Sequence, residues 1–181
     1  MRILGIDPGS NVTGYGVVDT QLGGRASHVA HGTLRPARSA PLAGRLATIQ
    51  AGLREVIHLH APNLAVVEQV FVSASARSAL VLGQARGAAL AELGAAGIVV
   101  EELAPRQIKL AVAGSGAAGK AQVQAMVQRL LGLDRQPAQD AADALAAALC
   151  RAHQGRLAGA GARRGGRRSA RGSRFVVRRG R

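Results

Sequence analysis

The chain has 181 residues with 24 Lys or Arg against 10 Asp or Glu, one Cys and 24 Gly. At roughly 150 residues per domain this is one domain, and 43 Leu, Val and Ile beside 37 Ala can fill one closely packed core but not two. The lone Cys150 excludes an intramolecular disulfide framework and a Cys-rich zinc site. No apolar run nears the roughly 18 residues a membrane span requires, and the N-terminal MRILGIDPGS lacks a signal-type apolar region. The cytoplasm is therefore the expected compartment, with no membrane partner.

In chain order, residues 2–7 (RILGID) form an apolar strand that ends in an acid, and 14–19 (GYGVVD) are its hairpin partner across a Pro-Gly-Ser-Asn turn. Residues 27–34 supply a third antiparallel strand. Leu42, Leu46, Ile49, Leu53 and Val56, at spacings of four and three, make the stripe of an amphipathic helix. Residues 64–68 (LAVVE) read as a buried strand that again ends in an acid. A second helix carrying Leu80, Ala85, Ala89 and Leu93 leads to a strand at 98–103. A short helical turn or strand follows Pro105. Then come a helix bearing Val123, Met126, Val127, Leu130 and Leu131, and a last helical element from about 137 to 153. Three antiparallel strands followed by alternating helices and parallel strands describe an α/β domain with a mixed five-stranded sheet flanked by helices.

The charge is uneven. Residues 1–150 carry 13 basic and 10 acidic side chains, whereas 151–181 carry 11 Arg and no acid. The segment GARRGGRRSARGSRFVVRRGR is expected to be a disordered Arg/Gly-rich tail, 156–181, behind a domain at 1–155. Clustered charge of one sign is the footprint of phosphate binding, so nucleic acid is its expected partner; a solvated tail that only aids solubility is the plainer reading.

Acids are sparse, which makes their positions informative. Asp7 and Glu68 end hydrophobic strands, while Asp140 and Asp143 in QDAADALAAAL share one helical face. Carboxylates among core-forming residues are costly to desolvate without a cation, and all-oxygen ligation suits magnesium or manganese rather than zinc. Taken singly, Asp140 could complement a helix dipole and Asp7 could cap the turn after it. Only convergence of all four would separate metal binding from those explanations. Lys109 and Lys120 are the only lysines beside 22 Arg and fall in one segment, as compact charges near a phosphate would. Phe71, one of three aromatics, follows Glu68 by three residues, where it could pack in the core or stack on bases. The five His show no paired ligand spacing, and Cys150 reads as a small buried hydrophobe. Gly114 to Lys120 fits G-x-x-x-x-G-K, but Ala121 replaces the hydroxyl that a nucleotide-binding P-loop uses for magnesium.

The strings GIDPGSNVTGYGVV, VEQVFVSASARSALVLGQARG, PRQIKLAVAGSGAAGKAQVQ and DAADALAAAL resemble, in order and spacing, the bacterial RuvC-type Holliday-junction resolvases, over about residues 1–155. The resemblance implies a ribonuclease-H-like fold, a homodimer and metal-dependent endonucleolytic cleavage of four-way DNA junctions in recombination and repair. It places Asp7, Glu68, Asp140 and Asp143 at the family's metal-binding and catalytic carboxylates. It also places Phe71 where an aromatic meets the junction core, and Lys109 and Lys120 near the DNA backbone. Arg77 is the only charge in the loop VSASARSA, where relatives carry Asn or Lys. The RuvA/RuvB branch-migration complex is a partner by resemblance alone. Phosphodiester hydrolysis with two divalent ions, Mg2+ or Mn2+, would have Asp7 bridging them, leave 5′-phosphate and 3′-hydroxyl ends, and need no Ser or His nucleophile. Two other classes fit parts of the sequence: a non-catalytic structure-selective DNA binder, and an actin-like phosphotransferase. The second would need another nucleotide-binding half, for which 181 residues leave no room.

Overall fold

The computed structural model describes residues 1–21, 25–69 and 75–161, with 155–161 described as backbone only. The strands are β1 (Arg2–Asp7), β2 (Thr13–Thr20), β3 (Ala26–Leu34), β4 (Leu64–Glu68) and β5 (Val99–Leu103). The helices are α1 (Leu42–His60), α2 (Ala76–Ala95), α3 (Pro105–Ala113), α4 (Lys120–Leu131) and α5 (Gln139–Gly161). One five-stranded sheet has the order β3-β2-β1-β4-β5. β1, β2 and β3 pair antiparallel, while β4 and β5 join parallel to β1, as the alternation of elements implied.

Period-two alternation divides the sheet's side chains between two helical layers. Leu4, Ile6, Ala65 and Val67 face α1 and α2, where they pack with Ile49, Leu53, Val56, Ala89 and Leu93. Ile3, Leu64 and Val66 belong to the other core, with Ile108, Val112, Val123, Val127 and the buried face of α5. At the edge, β5 carries two adjacent acids that bond in opposite directions: Glu101 pairs with Arg151 of α5 and Glu102 with Arg86 of α2. A charge in the α1/α2 interface is likewise matched. Glu92 is buried, and both its carboxylate oxygens accept from Arg54 at 2.8 Å.

Helix α5 is Ala-rich because it lies almost against the backbone of the sheet. A Cβ on Gly5 would stand 1.9 Å from the Ala144 carbonyl oxygen, and one on Gly14 1.9 Å from the Asp140 carbonyl oxygen. Neither strand position can hold a side chain without moving the helix.

Two expectations need correction. The stretch after Pro105 is a full helix rather than a turn or strand: Pro105 opens it, and Ile108 and Val112, four apart, bury one face. Helix α5 also continues to Gly161, past the expected end of helix at 153. The string that fits G-x-x-x-x-G-K joins two helices, with Gly114 closing α3 at φ 73° and Gly119 preceding α4. A phosphate-binding P-loop needs a strand before the loop, so the nucleotide reading is excluded by this topology.

Candidate active site

The parallel strands β1 and β4 are neighbours, so Asp7 and Glu68 end at the same edge of the sheet. Across β2, Asp7 is paired with Gly14, the residue over which the Asp140 backbone sits. Close approach of α5 at Gly14 is thus what carries Asp140 and Asp143 to the end of β1. The turn after Asp7 is closed by another residue: the buried Thr13 hydroxyl donates to the Gly9 carbonyl at 2.8 Å and accepts from the Gly9 amide at 3.3 Å. Asp7 is therefore left for another purpose than capping its own turn.

Asp7, Glu68 and Asp143 line one cavity of about 230 Å³, together with Lys109 of α3 and Lys120 at the start of α4. Pro105, Ile108 and Val123 make its apolar wall. Asp140, one helical turn before Asp143, is near enough for its charge to act on both Asp7 and Asp143. Four acids and two lysines singled out in the sequence therefore converge, although they come from five elements. Arg77 does not join them: it is exposed in the first turn of α2 and lines a different cavity. Phe71 lies outside the described residues. No motif marks the apolar wall in sequence, although Ile108 and Val123 lie on the buried faces of the helices that carry the two lysines.

Burial, then the charges of Asp143, Glu68 and Asp140, push Asp7 up to about 7, with Lys120 opposing. Burial and the charge of Asp143 also raise Glu68, against Lys109 and Lys120. Burial raises Asp143 as well, with Lys120 and Lys109 opposing and Asp140 reinforcing. Three carboxyls that resist ionisation in one cavity form an environment lacking positive charge, which a divalent cation would supply. Among the described residues, no three His, Cys, Asp or Glu side chains are close enough to share one ion directly. The cavity of about 230 Å³ has room for a hard cation that keeps part of its water shell, as magnesium commonly does. The oxygen-only donors fit magnesium or manganese.

A pH dependence follows. Because the folded-state value of Asp7 lies above the ordinary 3.8, its contribution to stability is fully present below about pH 4 and is lost as pH rises through about 7. Glu68 and Asp143 are shifted in the same direction. In chelator, the melting temperature is expected to fall between pH 5 and 8, and saturating divalent cation should reverse the fall. A flat profile in chelator would show that these carboxyls are not held together.

Comparison with known proteins gives the family. Residues 3–151 match the family model described as crossover junction endodeoxyribonuclease RuvC. The chain is 58% identical over 153 residues to the protein of that name from Halorhodospira halophila, covering 84% of this chain and 90% of the relative. It is 52% identical over 159 residues to the Burkholderia vietnamiensis protein, covering 88% and 87%. Among solved structures, the Thermus thermophilus RuvC in complex with Holliday junction substrate superposes with a TM-score of 0.81 at 35% identity, covering 87% of this chain and 96% of that one. The expected ribonuclease-H-like fold is thereby established. With its carboxylate-lined edge and this extent of likeness, the chain belongs to the family of crossover junction endodeoxyribonucleases, RuvC.

Proposed function

We propose that this chain resolves four-way DNA junctions by metal-dependent phosphodiester hydrolysis, making paired symmetric nicks during DNA recombination and repair. The observation that carries the reading is the convergence of Asp7, Glu68, Asp143 and the nearby Asp140 with Lys109 and Lys120 at one edge of the sheet, in a chain of this family.

Asp7, Glu68, Asp140 and Asp143 would hold two divalent cations, Mg2+ or Mn2+, as all-oxygen ligands. Such ions, when bound, stabilise the attacking and leaving oxygens of an in-line displacement by water. Lys109 and Lys120 meet the nonbridging oxygens of the DNA phosphates as point charges and hold the strand against the carboxylates. Ile108 and Val123 exclude water from one wall, which strengthens every charge interaction beside them. The expected products are 5′-phosphate and 3′-hydroxyl ends, with no covalent protein intermediate. A homodimer would present two such sites to a nearly two-fold junction, with RuvA/RuvB as the expected branch-migration partner. Cytoplasmic action is expected, and among the described residues no helix is long and apolar enough to cross a membrane. Phe71 is proposed to meet the junction core, Arg77 to contact DNA, and the Arg-rich residues beyond 161 to add sequence-independent affinity.

Labelled four-way junction and matched duplex, incubated with the protein in magnesium, manganese or chelator, test the reading. Symmetric, metal-dependent nicks confined to the junction are expected; binding without cutting under every metal would overturn it. Lys120 allows a finer check, since its charge lowers Asp7, Glu68 and Asp143. Lys120→Ala should weaken junction binding by about tenfold and lower the salt slope by about 0.9. Its cleavage rate should also need a higher pH to reach its plateau. An unshifted pH profile would remove Lys120 from the neighbourhood of the carboxylates.

A further inference from the structure

A second cavity, of about 380 Å³, opens between the β1–β2 turn and the first turns of α1 and α2. Ser10, Asn11, Arg45, Arg77 and Ser78 supply its polar lining, and no acid lines it. Arg45 donates through Nη1 to the Asn11 side-chain oxygen, a neutral acceptor that fixes the guanidinium without cancelling its charge. The Nε of Arg45 is shielded from solvent and has no acceptor among the described residues. Four other arginines are matched to acids: Arg2 with Asp19, Arg54 with Glu92, Arg86 with Glu102 and Arg151 with Glu101. Among the described residues neither Arg45 nor Arg77 enters such a pair. Two arginines facing one cavity that no acid lines form an uncompensated positive site.

Its place in the fold supplies the ligand. Strand β1 delivers Asp7 to the sheet edge, and Ser10 and Asn11 follow in the very next turn. The carboxylate cavity lies toward the α3, α4 and α5 layer, whereas this one lies toward the α1 and α2 layer. A strand laid across the edge at Asp7 therefore has Lys109 and Lys120 on one side and Arg45 and Arg77 on the other. We infer that the Arg45–Arg77 cavity is a second phosphate subsite, which takes a backbone phosphate of the same DNA strand that occupies the carboxylate site. The inference rests on the nuclease reading and adds to it the residue that fixes the strand's direction across the edge. Arg45, anchored by Asn11, provides an oriented fork for one phosphate, and the Ser10 and Ser78 hydroxyls provide neutral donors beside it.

The test uses full-length protein and a synthetic four-way junction in calcium or chelator, with affinity measured between about 50 and 200 mM salt. Arg45→Ala is expected to bind about tenfold more weakly, with the salt slope reduced by about 0.9, and Arg45→Lys to restore most of the slope. Replacing single backbone phosphates by neutral methylphosphonates near the cut should reveal one position that weakens wild type but not Arg45→Ala. If wild type binds and cuts the junction but Arg45→Ala keeps the wild-type slope and methylphosphonate pattern, the subsite is refuted while the nuclease reading stands. If wild type neither binds nor cuts the junction, both fall.

Discussion

Asp7→Asn should lower the single-turnover rate of junction cleavage by at least about a thousandfold while leaving junction affinity within about threefold of wild type. Two properties of the position dictate that asymmetry. Asp7 lines the cavity with Glu68 and Asp143, and the charges of Asp143, Glu68 and Asp140 all act on it. It is also acidic, and neutralising it removes repulsion toward phosphate rather than a contact with it. The substitution is nearly isosteric, and in chelator near pH 8 it should stabilise the protein by about 1–3 kcal/mol by removing a carboxyl that must ionise in a crowded site. Gel-based cleavage, junction binding and melting in chelator check the three parts. Cutting retained with intact binding would remove Asp7 from the reaction.

The second large effect lies in a residue with no side chain. Gly14→Ala places a Cβ where the Asp140 carbonyl oxygen now stands, 1.9 Å away, in a contact made by backbone on both sides. The first turn of α5 must then lift from β2, with a loss of about 2–3 kcal/mol from overpacking and a shift of Asp140 and Asp143 from the end of β1. Cleavage should fall by more than a hundredfold even at temperatures where the variant is fully folded, because the carboxylates no longer face one cavity. Gly83→Ala is the comparison: nothing lies within 4 Å of its added Cβ, so it should leave the melting temperature as high as wild type or higher. Circular dichroism melts with cleavage assays at 20 °C separate folding from positioning. Wild-type activity in Gly14→Ala would show that α5 can move without consequence for the site.

Much of this arrangement is legible in sequence for identifiable reasons. Asp7 and Glu68 stand out because each ends a run of core residues, and a strand must end where a charge can reach the edge. Asp140 and Asp143 stand out because a spacing of three puts both on one helical face, and the two lysines because Arg fills nearly every other basic position. Local pattern does not determine that these six meet, since the meeting depends on β4 pairing beside β1 and on α5 approaching the sheet at Gly14. A trace of that approach is visible in the glycines of GYGVVD, which weaken a strand unless another backbone comes near. The stretch after Pro105 is ambiguous in sequence because a short apolar run fits either period, and burial of Ile108 and Val112 on one face resolves it. Arg45 was invisible for a compositional reason: one arginine among 22, on an amphipathic helix, reads as ordinary solvation. Its setting becomes informative only when Asn11, 34 residues away, is seen to hold it.

The claim that the four carboxylates form a site for divalent cations is tested most directly by melting wild type and Asp7→Asn at pH 8 with and without millimolar manganese. A cation that binds only the folded chain stabilises it by RT ln(1 + [L]/Kd), about 2.7 kcal/mol at a hundred times Kd. Wild type is therefore expected to melt several degrees higher with manganese, whereas Asp7→Asn, already relieved of the repulsion, should show little change. Equal shifts in both proteins, or none in wild type, would contradict the assignment of these carboxylates to a metal site.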